Sequence, residues 1–584
     1  MTTLRFDIAT LNDLYRRRRL RPEDVIDAAH ARMDKDQSYG AWISWFDAQG
    51  LAPYLERLRT LSPAHAPLYG VPFAVKDNID LAGLPTTAGC PAFAYHPPQS
   101  AAVVDRLVEQ GAIPLGKTNL DQFATGLSGA RSPYGVCRNA MHPDYIAGGS
   151  SSGSAVALAR GHVGFALGTD TAGSGRVPAA FQGLIGHKPT RGVLSTQGVV
   201  PACRSFDSVS IFAHTAADAE TILVAAACRD VRDPYSRPLS PHGADFSAAD
   251  PLRVAIPRAA DREFYGDREA AALFSAYVER LRGLGAVISE IDWAPFGETA
   301  SLLYGSAFVA ERLEATGRLL RSEPDALLAP IREILGRAER YTAADLFDSL
   351  HRLRALQAQT EEIWDRVDVL VVPTAPTIFT VAHMQADPVA ANAKLGFYTN
   401  FVNLLDLAAT AVPAGVRTNG IPFGVTLVAP AHQDGPLLHL AARLTATPRA
   451  PVAPPSDQVR VAVVAAHLRG QPLNGRLMSR GARYVATTVT APRYRLYALP
   501  GPVLRAGLVP AADGAPIEIE IWEMSHAALG SLLREVEAPL AMGRVLTAEQ
   551  EVIGFVCSDP GPAARDITAY GGFRHYLRAS VKSP

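Results

Sequence analysis

Apolar positions in the first part of the chain follow two alternating periods. From Ile8 to Met33 they recur at helical spacing, through Leu11, Leu14, Tyr15, Val25, Ile26 and Ala29, with Pro22 dividing the stretch. Proline fits the first turn of a helix but not its interior, so two helices are predicted. Short apolar runs then alternate with helical ones. Strands are expected at Val71–Val75, Ile113–Leu115 and Val163–Leu167, and helices at Val103–Gln110 and Ser154–Gly161. This order predicts an α/β fold around a mixed, largely buried sheet flanked by helices. Further on, Asp267–Leu281 and Leu302–Ala315 read as helices, and Asp368–Thr374 as a buried strand feeding a loop.

The pattern breaks between Thr445 and Ser456, where four prolines exclude a helix and favour an extended spacer. Residues 446–458 are therefore read as a linker between domains at 1–445 and 459–584. In the second domain, Val459–Ala465, Ala482–Val489, Tyr494–Ala498 and Ile517–Trp522 have strand character, predicting a small α+β module. A chain of 584 residues is too long for one core, which agrees with this division.

Charge narrows the function classes. Lys and Arg number 56 against 57 Asp and Glu, so the totals carry no footprint for nucleic acid or for an anionic membrane. The basic run Arg16–Arg19 is short and fits a solvated helix face. Cys90, Cys137, Cys203, Cys228 and Cys557 are odd in number and scattered, which disfavours a disulfide framework or clustered zinc site and fits a reducing cytoplasm. Met1–Ala9 lacks the pattern of a secretory signal, and no apolar run approaches the roughly 20 residues needed to span a bilayer.

Three glycine loops carry candidate chemistry. Gly111–Thr118 matches a phosphate-binding pattern, but it follows a helical stretch and its interior is apolar and strand-like, so Lys117 is expected to be structural or exposed. Gly149–Gly153 matches a nucleophile elbow that would make Ser151 the nucleophile, yet Asp144–Gly148 is not the apolar strand an elbow needs. Composition alone also permits a flexible Gly/Ser linker there. In the third loop, Thr169–Arg176, small residues let successive backbone N–H groups turn toward one point beside Ser174, an arrangement suited to an oxyanion. A lysine within Phe73–Lys76, an apolar strand, can lose its charge through burial and then accept a serine proton.

Taken together, Lys76, the Gly148–Ser154 loop and Gly168–Ala180 resemble the amidase signature family. The likeness is dense from Leu68 to Gly192, including Gly116–Phe123 and Gly186–Thr190, and weaker stretches extend it to about residue 445. The resemblance implies Ser174 as nucleophile, Ser150 as proton relay and Lys76 as base, with amides of Thr171, Ala172 and Gly173 holding the oxyanion. Asp170 and Arg176 are expected to be structural supports. The chain departs from the commonest family pattern at Ser152, Ala172 and Gly175, none of which removes a catalytic group.

Several features resemble the allophanate hydrolase branch. Tyr304 and Arg312 match its pair for a substrate carboxylate; on one helix they would lie about 12 Å apart along the axis. The spacer and the second domain, with Val463–Asn474 and Tyr570–Arg574, resemble the branch's added domain, which is distantly similar to gamma-glutamyl cyclotransferases. His467 is then expected as a base or anion ligand, with Glu537 as a companion. The resemblance implies a small anionic amide substrate, allophanate, no metal or organic cofactor, a homodimer, and a link to an enzyme that supplies allophanate. The alternatives are a glutamine-dependent amidotransferase subunit or other amidase, a nucleotide-dependent enzyme and a non-catalytic binding protein.

Overall fold

Pro22 opens the second helix, Pro22–Lys35, after a first helix at Ile8–Arg16, and Arg16–Arg19 are exposed. The structure, a computed structural model, describes residues 6–239, 246, 251–445, 458–501, 504–547 and 551–580. It separates into two compact units, Met1–Ala450 and Pro451–Pro584. The proline-rich stretch 446–457 lies outside the described residues, and Gln458 begins the first strand of the second unit.

In the first unit, eleven strands among the described residues form one mixed sheet. They are β1 (Trp42–Trp45), β2 (Pro72–Lys76), β3 (Ile113–Thr118), β4 (Phe165–Asp170), β5 (Ile185–Lys188), β6 (Ser208–Ala213), β7 (Arg253–Pro257), β8 (Val287–Ile291), β9 (Val369–Pro373), β10 (Leu407–Val416) and β11 (Pro422–Pro430), in the order β1-β3-β2-β4-β6-β5-β10-β11-β9-β7-β8. All residues of β2, β3 and β4 are buried, which is why they read as continuous apolar runs and not as alternating ones. Phe73 and Phe165 stack across the parallel β2–β4 pair with ring centroids 4.9 Å apart. Each such buried aromatic contributes about 1.5–3 kcal/mol by leaving water.

This register positions the site. Phe73, Ala74 and Val75 lie opposite Phe165, Ala166 and Leu167, so Lys76 and Asp170 leave the sheet at the same edge. The helix Ser152–Ala159, slightly earlier than expected, packs on β2 and β4.

One expectation is corrected. Leu302–Ala315 is not one helix: Ala294–Gly305 ends, a tight 3-10 segment spans Ala307–Arg312, and a new helix runs Leu313–Ser322. Ser306 adopts an extended conformation and its side chain accepts from Phe308 N, a local competition with the helix that apolar spacing does not reveal. Of the two roles expected for Lys117, structural or exposed, it takes the structural one. It is buried, with Nζ 3.0 Å from Asp77 Oδ1 and donating to Thr86 Oγ1 at 2.9 Å. Ile113–Thr118 is sheet strand, leaving no phosphate-cradling loop between the two glycines.

The second unit holds a sheet of β12 (Gln458–Val463), β13 (Arg483–Val489), β14 (Tyr494–Leu499), β15 (Arg505–Pro510), β16 (Glu518–Ser525), β17 (Leu540–Leu546), β18 (Glu551–Cys557) and β19 (Arg565–Asp566) among the described residues. Its order is β13-β16-β12-β18-β15-β14-β19, with β17 beside β18, and the helices include His526–Leu533 and Phe573–Ser580. Val461, Leu496, Ile519, Trp522 and Phe555 form its core. Among the described residues no helix is long and apolar enough to cross a membrane.

Candidate active site

Lys76 is the last residue of β2 and is fully buried. Its Nζ lies 2.8 Å from Ser150 Oγ and 2.7 Å from Thr169 Oγ1. Burial brings its ammonium down from 10.5 to about 7, against the pull of Asp121, Asp170 and Asp207. Near neutral pH it can therefore exist as a free amine that accepts a proton from Ser150. Thr169 was not anticipated as a partner. Its position follows from the β2–β4 pairing, which no local motif encodes.

Ser150 follows a cis peptide bond from Gly149 and is buried. Ser151 is already engaged: its Oγ donates to Thr169 O at 3.1 Å and receives Thr169 N–H at 3.3 Å. Ser154 likewise binds Leu167 O at 2.8 Å. Of the serines in this loop, Ser150 alone faces the lysine.

Ser174 sits in the loop after β4, 2% exposed, with its Oγ 3.5 Å from Gly126 O. It makes no hydrogen bond to Ser150, whose Oγ instead meets Lys76. Asp170 organises the loop. Its carboxylate accepts from Gly173 N at 2.9 Å and Gly175 N at 3.0 Å, and pairs with Arg176 Nε and Nη2 at 2.9 Å each. Burial alone would raise this carboxyl, yet Arg176 and Lys188 hold it below the usual carboxylate range. Arg176 also donates to Thr399 O and Asn403 Oδ1 at 3.2 Å, tying the loop to the segment before β10.

The Gly173 N–H points at Asp170, whereas among the described residues the Thr171 and Ala172 N–H groups donate to no protein acceptor. Gly173 itself has φ +130, and a Cβ there would collide with the Thr399 side chain.

Tyr304 and Arg312 meet because the helix breaks between them. Arg312 is buried, its Nη2 donates to Tyr304 Oη at 3.0 Å, and its Nη1 donates to Thr125 Oγ1 at 2.8 Å. The guanidinium lies 4.8 Å from the Tyr304 ring centroid. A planar cation beside a phenol suits a carboxylate.

In the second unit, His467 is 7% exposed and stacks on Phe555 with centroids 4.5 Å apart. Burial, aided by Arg476 and Arg505, pulls its imidazole down to about 4, so it is neutral at pH 7. Its backbone oxygen accepts from Asn474 Nδ2 at 2.9 Å. Glu537 is 79% exposed and pairs with Arg505 at 3.4 Å. Arg574 binds Glu518 at 3.0 Å and Glu520 at 2.7 Å, tying the helix Phe573–Ser580 to β16. Among the described residues, no group of three or more His, Cys, Asp or Glu side chains is placed to hold a metal ion. The five cysteines are free.

A buried low-pKa lysine against a serine, next to a glycine loop bearing a second serine, is the equipment of an amide-cleaving serine hydrolase. Residues 24–438 match the amidase family, and the chain belongs to it. Residues 459–578 match the allophanate hydrolase C-terminal domain. A solved allophanate hydrolase from Kluyveromyces lactis is 37% identical, covering 98% of this chain and 99% of its own, with a TM-score of 0.74. The urea amidolyase of Saccharomyces cerevisiae is 43% identical over 578 residues, which is 93% of this chain but 31% of that protein. The chain thus spans about a third of the length of that curated relative. A glutamyl-tRNA(Gln) amidotransferase subunit from Treponema pallidum is 35% identical over 65% of this chain and 82% of its own length.

Proposed function

We propose that the chain is a cytoplasmic allophanate hydrolase acting through Ser174, Ser150 and Lys76. The observation that carries this is the 2.8 Å contact between Ser150 and a fully buried Lys76 whose ammonium burial destabilises. Neutral Lys76 takes the Ser150 proton as Ser150 takes that of Ser174, and the Ser174 oxygen bonds to the carbon of the terminal amide. Thr171 and Ala172 N–H groups receive the developing oxyanion, and Gly173 joins them on releasing Asp170. The C–N bond then breaks, Ser150 returns the proton to nitrogen, and ammonia leaves. Water hydrolyses the acyl-enzyme by the same relay.

The carboxylate at the far end of urea-1-carboxylate is held by Arg312 and Tyr304. The product carries a carboxylate at each end, and His467 in the second domain assists its loss of carbon dioxide. The active molecule is a homodimer, and its substrate is supplied by an enzyme that makes allophanate. Ammonia release from allophanate, glutamine and simple aliphatic amides tests the substrate. A clear preference for allophanate is expected; equal or better turnover of glutamine would sink the assignment.

A further inference from the structure

Arg131 and Arg312 are 4% and 2% exposed, and every hydrogen bond made by their guanidinium groups goes to a neutral oxygen. Arg131 donates to Thr125 O at 3.0 Å and to Pro388 O, while Arg312 donates to Thr125 Oγ1 and Tyr304 Oη. Thr125 thus joins the two cations. The Nε of each is buried and unpartnered.

The acids near Arg131 favour its charge from a distance but spend their hydrogen bonds elsewhere. Asp121 accepts the backbone N–H groups of Ser128, Gly129 and Arg131 at 2.9–3.0 Å, and Glu333 pairs with Arg337. Contrast Arg176, equally buried but paired to Asp170 at 2.9 Å. No carboxylate is hydrogen-bonded to either guanidinium, so Asp121 and Glu333 near Arg131, and Asp207 and Glu311 near Arg312, compensate the two buried charges only from a distance, and an anion that joins both cations relieves the remaining cost. Arg131 also lines a cavity of about 340 Å³ together with Tyr304, Asn392 and Asn400, so this region is open to a ligand that reaches Tyr304.

We propose that Arg131 is a specificity-determining residue: with Arg312 it forms a two-cation subsite, completed by the carboxylate of the amide substrate, that sets the preference for anionic over neutral amides. This rests on the amide-hydrolase reading above. Arg312 supplies the directed contact and Arg131 the second charge, which in a water-poor site acts over several ångströms. A structural clamp between the Thr125 and Pro388 carbonyls is the competing role.

Arg131→Met and Arg131→Lys separate the two, because lysine keeps the charge without the planar fork that spans both carbonyls. The readouts are kcat/KM for allophanate and for biuret, its neutral counterpart, and calorimetric binding of oxamate and oxamide. Arg131→Met is expected to lower the allophanate-to-biuret ratio and weaken oxamate about tenfold or more, with oxamide nearly unchanged and Arg131→Lys recovering most of the loss. An unchanged ratio and oxamate affinity in Arg131→Met, or equal losses in both variants for charged and neutral ligands, overturns the proposal. If the wild type releases no ammonia from allophanate, the functional reading fails, while oxamate binding still decides the role of Arg131.

Discussion

Raising the pH from about 6 to about 8 converts Lys76 from mostly charged to mostly neutral, and the rate should follow. With the ammonium at about 7, the free amine is about a tenth of the population at the lower pH and about nine-tenths at the higher. Initial rates of ammonia release at low substrate report kcat/KM, which is predicted to rise about tenfold and then level off. A lysine at its ordinary 10.5 would give about a hundredfold rise with no plateau. Stability supplies an independent reading. The folded value lies below the unfolded one, so between about 7 and 10.5 the unfolded chain binds the extra proton and stability rises with pH. Below about 7 the full penalty is present, on the order of 5 kcal/mol at about 1.4 kcal/mol per unit. Lys76→Met removes it, together with the pH-independent contacts to Ser150 and Thr169. The melting temperature of Lys76→Met relative to wild type should therefore be higher at pH 6.5 than at pH 9. No plateau in rate, together with a pH-independent difference in melting, would refute the idea that Lys76 is a buried base.

The two candidate nucleophiles separate by substitution: Ser174→Ala should abolish ammonia release beyond about a thousandfold. Ser151→Ala, which loses contacts to Thr169, should cost about 1 kcal/mol in denaturant unfolding and leave most activity. Arg176→Met strands the buried Asp170 carboxylate and should cost about 3–5 kcal/mol in the same assay; a loss under about 1 kcal/mol would mean the pair is dispensable. Gly173→Ala drives a methyl group into Thr399 and should lower kcat about a hundredfold, a displacement effect that near-wild-type turnover would contradict.

The burial of Lys76 was legible because Phe73, Ala74 and Val75 announce a buried strand, and burial is what a lysine needs to lose its charge. The supports of the nucleophile loop were legible too, since Asp170 and Arg176 read as structural and form a buried pair. Thr169 was not, because its hydroxyl meets Lys76 only through the register of two strands distant in sequence. Tyr304 and Arg312 were paired by the family resemblance, and their contact depends on a break that apolar spacing does not show. A continuous helix would have separated them along its axis, whereas the break at Ser306 lets their side chains touch. Gly173 as an oxyanion donor was implied by the family resemblance alone, and the direction of its N–H depends on the Asp170 carboxylate. Arg131 carried no motif, and the bonding of its guanidinium to carbonyl oxygens instead of a carboxylate is visible only in three dimensions.

The central claim is that one serine, Ser174, forms the covalent bond to the acyl group. Labelling the intact chain with a reactive phosphonate and locating the adduct by peptide mass spectrometry tests this directly. A single adduct on Ser174, absent in Ser174→Ala and slowed in Lys76→Met, is the predicted result. An adduct on Ser150 or Ser151, or labelling that persists in Ser174→Ala, would contradict it.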